Sequence, residues 1–310
     1  MTALEQIQIN PNYFTLTTIK LCVISYFDAH RIPEAVASDC GLRVVWGPAQ
    51  LAHWDGIPYS LMFIAEKADS GELFVVIRGT NFESLSAWRS EDFAVGNSQP
   101  FAALPGNPPK VPTDALISQA TFNGMTDLLN LRDPQTGRSA VEFLQASLAE
   151  YIYVTGHSLG GTLTPTMGAY LNAMIYDGQS NSDIAMWSYA GLTPGGNGFN
   201  QYFNQMLPNV LLRYHNTLDI APYCWYAKDG IRDIYKPHKL AWSWAEEKLV
   251  DSLFTEAAHS GIGYAQPVAG IGLEGVFDSS IIEDYSWFAQ ALHQHHVSTY
   301  RYLIERTVFG

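Results

Sequence analysis

The chain has 310 residues, 47% of them hydrophobic, and a formal net charge of −13 from 17 basic and 30 acidic side chains. That is ample apolar material for a sizeable core, while so acidic a surface repels nucleic acid and does not favour anionic membranes. Three cysteines, Cys22, Cys40 and Cys224, match no metal or redox spacing, and are expected to be small buried apolar residues.

From the start of the chain, Met1 to Gln6 lacks the basic opening and apolar run of a signal peptide. No run of about 18 apolar residues marks a membrane span. Localisation is therefore left open. Tyr13 to His30 reads as a helix, with Leu16, Ile19, Val23 and Phe27 at helical spacing. Arg43 to Trp46 reads as a short strand. Leu61–Ala65 and Leu73–Ile77 read as two strands joined by the Gly-containing turn Ala68-Asp69-Ser70-Gly71, a hairpin pattern. Residues 97–113 hold five prolines and read as loop. Gln119–Leu131 and Ser139–Glu150 are predicted helices. Tyr151–Thr155 is a predicted buried strand and Thr162–Ile175 a predicted helix. Asp183–Ala190 and Val210–His215 are further predicted strands. Lys239–Ala258 and Ser286–Glu305 complete the predicted helices. Strands alternating with helices after residue 60 imply an α/β fold around a mostly parallel sheet, in a single domain spanning 1–310.

The most informative stretch is Gly156-His157-Ser158-Leu159-Gly160, between the predicted strand and helix. Gly-x-Ser-x-Gly in that setting is a nucleophile elbow: the sharp turn holds the serine Oγ clear of the sheet, at a helix N-terminus that favours developing negative charge. An activated serine needs a histidine base, and the histidine needs a carboxylate to fix its tautomer. In this arrangement acid and base follow the serine in that order. Asp219 is the leading acid, in the loop after the predicted strand Val210–His215; Asp229 and Asp233 are rivals, and Asp183 precedes its strand at the wrong edge. His293, His295 and His296 offer the base. Three histidines within four residues point in different directions, so a metal site is not expected. His157, inside the elbow, is read as a packing or oxyanion-side residue. No cofactor is needed.

These residues resemble the class 3 lipases, the fungal-lipase-like family, in four ordered segments. Val75 to Thr80 is similar to that family's strand ending in Arg-Gly-Thr or Arg-Gly-Ser. Val154 to Gly161 is similar to its elbow, including the His before the serine. Tyr189 to Phe199 is similar to its Phe-Gly/Ala-x-Pro-x-x-Gly-Asn-x-x-Phe segment, with one extra residue before the proline. Asn216 to Pro222 resembles its Asn-x-x-Asp-x-Val-Pro acid loop, with Ala221 for the Val. The resemblance implies an α/β-hydrolase fold with helices on both faces of the sheet, and Ser158, Asp219 and a histidine as the triad. Members place the histidine five residues before a Tyr; His295 and Tyr300 fit, and His296 fits only with a turn one residue shorter, so His295 is preferred. It also implies an oxyanion hole from Thr80 and Leu159, a structural Arg78, and a lid-like insertion over about residues 88–116. Where the family often has Val-His-x-Gly-Phe, this chain has Ile117 to Phe122 without the His. The implied activity is hydrolysis of lipid esters through an acyl-enzyme, with transient contact at a lipid interface. The alternatives are a phospholipase, an esterase for short or aromatic acyl groups, and an inactive hydrolase fold used for protein interaction.

Overall fold

The computed structural model describes residues 3–52, 58–68, 70–79, 94–147, 149–177, 183–281 and 286–310. Among these, seven strands form one sheet whose spatial order follows the chain. They are β1 (Arg43–Ala52), β2 (Pro58–Lys67), β3 (Glu72–Ile77), β4 (Ile152–His157), β5 (Ile184–Tyr189), β6 (Leu211–Asn216) and β7 (Ile271–Leu273). The β1–β2 and β2–β3 pairs are antiparallel, and β3 to β7 are parallel. Every residue of β3, β4 and β5 is buried. That explains their mostly apolar sequences, because a parallel sheet is covered on both faces.

The period-2 alternation of β4 decides which helix each residue meets. Tyr153 packs edge-on against Phe14, and Thr155 Oγ1 lies 3.4 Å from Cys22 Sγ, so this face meets the helix Pro11–Ile24. That helix pairs with the final helix, Val297–Phe309. Gly156, one step out of phase, meets the helix Leu159–Ile175, where a Cβ would overlap the Gly160 carbonyl. Gln119–Asn130 packs on this second helix.

Pro165 lies inside the helix Leu159–Ile175 and cannot donate to the Gly161 carbonyl four residues back. Ser188 Oγ, from β5, donates to that carbonyl instead at 2.8 Å. The helix is thereby stitched to the sheet one turn beyond the elbow.

Several boundaries differ from the sequence reading. The helix expected over Tyr13–His30 ends at Ile24, and a further helix, Ile32–Cys40, closes with Gly41 in the left-handed region. The strand expected at Arg43–Trp46 runs on to Ala52. The helix expected from Lys239 begins at Trp244, where Ser243 and Glu246 form a reciprocal capping box. The helix expected over Ser286–Glu305 is two helices, broken at His296. Within Ile117 to Phe122, the stretch without the family's His, Ser118 caps the helix Gln119–Asn130 by accepting from Thr121 N–H. All three cysteines are free, but Cys40 is only partly buried.

The lid-like insertion expected over 88–116 is described only in part. Residues 88–93, with Phe93, lie outside the described residues. From 94 on the chain is packed down: Val95, Phe101 and Leu104 are fully buried. Ser98–Pro100 and Leu116–Ser118 pair in a small second sheet with Gly195–Gly196 and Tyr264–Ala265. Apolar side chains in this Pro- and Gly-rich stretch are held by tertiary packing. Among the described residues no helix is long and apolar enough to cross a membrane, and no group of His, Cys, Asp and Glu is placed to hold a metal ion.

Replacing Ser188 by Ala leaves the Gly161 carbonyl buried without a donor. The expected loss is about 1–3 kcal/mol of unfolding free energy, read as a lower urea midpoint at unchanged slope.

Candidate active site

The elbow begins where β4 ends at His157. Ser158 sits at φ 62°, ψ −125°, a backbone region costly for any residue with a Cβ. Packing enforces it. The Ser158 N–H donates to the Tyr189 carbonyl at 2.9 Å and its own carbonyl accepts from Thr162 N–H at 2.9 Å. Gly160 lets the helix start press against β3, where a Cβ would overlap the Ile77 carbonyl. Ser158 holds the N-cap position of Leu159–Ile175, yet its side chain makes no cap hydrogen bond. The hydroxyl is thus free to face a partner outside the helix, and the Leu159 N–H opens the helix N-terminus beside it.

That partner is His295. Its Nε2 lies 2.8 Å from Ser158 Oγ, and its Nδ1 lies 2.9 Å from Asp219 Oδ2. An ionised carboxylate can only accept, so Nδ1 carries the proton, and Nε2 accepts from the serine hydroxyl. Asp219 and Ser158 are fully buried and His295 is 4% exposed. The carboxylate is further held by the Tyr300 hydroxyl, which donates to Oδ2 at 2.7 Å, and by Ala221 N–H, which donates to Oδ1 at 3.0 Å. Burial, then the adjacent Asp219 charge, pushes the Tyr300 phenol well above its ordinary range, so it stays a donor. Asn216 braces the loop. Its backbone N–H donates to Tyr300 Oη at 3.0 Å, its side-chain oxygen accepts from Leu218 N–H, and its side-chain amide donates to the Gln294 carbonyl.

The structure therefore brings Ser158, Asp219, His295 and Leu159 together. Thr80, the other expected oxyanion donor, lies outside the described residues. His296 faces elsewhere: its Nδ1 accepts from Ser298 N–H and caps the last helix. Asp229 and Asp233 are surface partners of Arg232. Asp183 accepts from Ile152 N–H, at the start of β4 and far from the elbow end. Arg78 is half-buried against Tyr26, with its N–H donating to the Leu61 carbonyl.

His157 points from β4 to the same face as Tyr153 and Thr155. Its Nδ1 lies 3.0 Å from Tyr26 Oη, and its Nε2 lies 2.8 Å from the backbone oxygen of His295. Burial, then the neighbouring His295, holds its protonation well below the ordinary histidine range. Sequence reasoning missed Tyr26 altogether and used Tyr300 only as a spacing marker. Asn216 was visible as the first residue of the acid-loop motif.

His157 has a stability consequence. Its depressed folded value means the unfolded chain binds a proton below pH ~6.5 that the folded chain refuses. Burial also lowers His215 and His296. Stability should therefore fall as pH drops below about 6.5, with His157 contributing up to ~1.4 kcal/mol per pH unit. Urea titrations at neutral and mildly acidic pH measure this, and His157→Gln should flatten the slope.

The lipase (class 3) family pattern matches residues 74–228, half of the chain. The crystal structure of M37 lipase is similar over 96% of this chain and 93% of that one, with 26% identity and a TM-score of 0.75. Lip2 lipase from Yarrowia lipolytica shares the fold, with 19% identity, 71% of this chain and 74% of that one covered, and a TM-score of 0.51. No curated protein matches the chain in sequence. The elbow and Asp219 fall inside the matched region, and the chain belongs to the class 3 lipase family of α/β-hydrolase-fold carboxylic-ester hydrolases.

Proposed function

We propose that Ser158 is the nucleophile, His295 the general base and acid, and Asp219 the residue that orients the base, in hydrolysis of lipid esters. The observation that carries this reading is the unbroken chain from Ser158 Oγ to His295 at 2.8 Å and on to Asp219 at 2.9 Å. Ser158 Oγ attacks the ester carbonyl carbon while His295 Nε2 takes its proton. Asp219 keeps Nδ1 protonated and stabilises the imidazolium that forms. Negative charge grows on the carbonyl oxygen and is met by the Leu159 N–H at the helix N-terminus, with Thr80 as the second donor. Preorganised donors of this kind contribute roughly 3 kcal/mol each. The C–O bond then breaks, His295 returns the proton to the leaving alcohol, and water activated by the same histidine releases the acid.

Two features support an apolar acyl substrate. The triad's surroundings hold a second apolar cluster that includes Ile220, Trp225, Trp287 and Phe288, on the loop after Asp219 and the helix that carries His295, joined by Leu192. Ser158 has no solvent exposure, so an ester reaches it only when the cover over the site opens, in keeping with transient contact at a lipid interface.

Ser158→Ala should lower hydrolysis of p-nitrophenyl esters by at least ~10⁴-fold, and Asp219→Asn by a similar factor with little effect on folding. A Ser158→Ala protein that keeps its activity overturns the assignment. In a chain-length series, rates should rise sharply once a long-chain ester passes into emulsion. Equal rates on either side of that point, or a preference for short acyl groups in solution, favour an esterase without interfacial opening.

A further inference from the structure

His157 stands beside the nucleophile but cannot exchange a proton with it, because both ring nitrogens are engaged elsewhere. The His295 backbone oxygen can only accept, so Nε2 of His157 carries the proton. Nδ1 then holds the lone pair, and the Tyr26 hydroxyl at 3.0 Å is the donor to it. The tautomer of His157 is thus set by the His295 carbonyl, and Tyr26 holds the ring from its other nitrogen. The Tyr26 oxygen in turn takes a hydrogen bond from the Gly79 backbone. The fit there is close: a Cβ on Gly79 would come 2.6 Å from Tyr26 Oη and 2.9 Å from Ser158 Cβ.

The accepting carbonyl is significant for where it lies. His295 is the last residue of the helix Ser286–His295, and a carbonyl at a helix C-terminus has no donor from its own helix. His157 supplies one. Its ring also lies 5.1 Å from the His295 ring and 5.4 Å from the Tyr300 ring, between the base and the tyrosine that holds the acid.

We propose that Tyr26 and His157 are a positioning pair that fixes the backbone of His295, and through it the reach of the His295 ring to Ser158 and Asp219. Through Gly79 the same tyrosine ties the end of β3, which leads to Thr80, to the base. Neither residue touches substrate. His157 also remains neutral there, which spares the imidazolium formed on His295 a second positive charge 5.1 Å away. The proposal rests on reading Ser158, His295 and Asp219 as the triad.

The test compares Tyr26→Phe, His157→Leu and His157→Gln in the full chain on p-nitrophenyl butyrate, with melting temperature recorded for each. Misplacing a reacting group by about 1 Å can cost up to ~10²-fold in rate. His157→Leu should therefore lose about that factor in kcat with KM within about twofold. Tyr26→Phe should lose about tenfold, and His157→Gln, whose amide N–H can reach the same carbonyl, should recover much of the loss. Nitrogen-15 NMR of histidine-labelled protein should show His157 as the Nε2–H tautomer. Variants that lose only thermal stability while keeping kcat, or a His157 protonated at Nδ1, overturn the proposal. Should His157→Leu fail to fold, Tyr26→Phe against His157→Gln decides. If Ser158→Ala stays active, the triad reading itself falls; if Ser158→Ala is dead while Tyr26→Phe and His157→Leu turn over normally, only the positioning role falls.

Discussion

Ser158 is held in a backbone conformation that an L-residue avoids, at φ 62° and ψ −125°, and the rest of the site is arranged around it. A single residue in such a region is disfavoured by about 1–3 kcal/mol. It persists because β3, β4, β5 and the following helix meet with almost no space between them. Gly156 and Gly160 allow backbone to lie on backbone, the Tyr189 carbonyl captures the Ser158 N–H, and Ser188 holds the first turn of the helix against the sheet. The strain is therefore supported by the most deeply buried part of the molecule. It also separates the serine's two roles: the backbone caps the helix, and the hydroxyl is left for chemistry.

Asp219 and His295, the proposed acid and base, depend on a second, softer set of contacts. Asp219 lies on a loop, and a loop alone does not hold a carboxylate to a few tenths of an ångström. Here Asn216 closes the loop on itself and on Gln294, and Tyr300 bridges the Asn216 N–H to the Asp219 carboxylate. The break at His296 is what makes this work. It ends one helix at His295 and starts another whose first full turn delivers Tyr300, so His295 Nδ1 and Tyr300 Oη meet the same Asp219 oxygen.

That geometry also explains which parts were legible in the sequence. The elbow was, because close backbone contact demands Gly at fixed offsets and leaves a local pattern. Asp219 was, because its loop needs Asn216 three residues earlier. The preference for His295 over His296 rested on a five-residue spacing to Tyr300, and that spacing is the shared carboxylate oxygen seen from the chain. Other features left no local mark. Tyr26 and His157 meet across 131 residues of sequence, and neither type signals a hydrogen bond by its neighbours. The burial of Val95, Phe101 and Leu104 was hidden because their Pro- and Gly-rich surroundings read as loop, while tertiary packing decided the outcome. The break at His296 was hidden because helical periodicity continues across it.

The apolar residues of the described chain fall into two separate clusters, and the division follows the labour of the molecule. The larger one fills the space around the sheet and holds up the elbow. The smaller one has its buried members almost wholly between Asp219 and His295, with Val95 and Leu192 from elsewhere. The same stretch also returns to the sheet once, where Ile271–Leu273 pairs with β6, and its two ends are pinned by Asn216 and Tyr300. The support of the elbow and the surroundings of Asp219 and His295 are thus built from largely different pieces of chain.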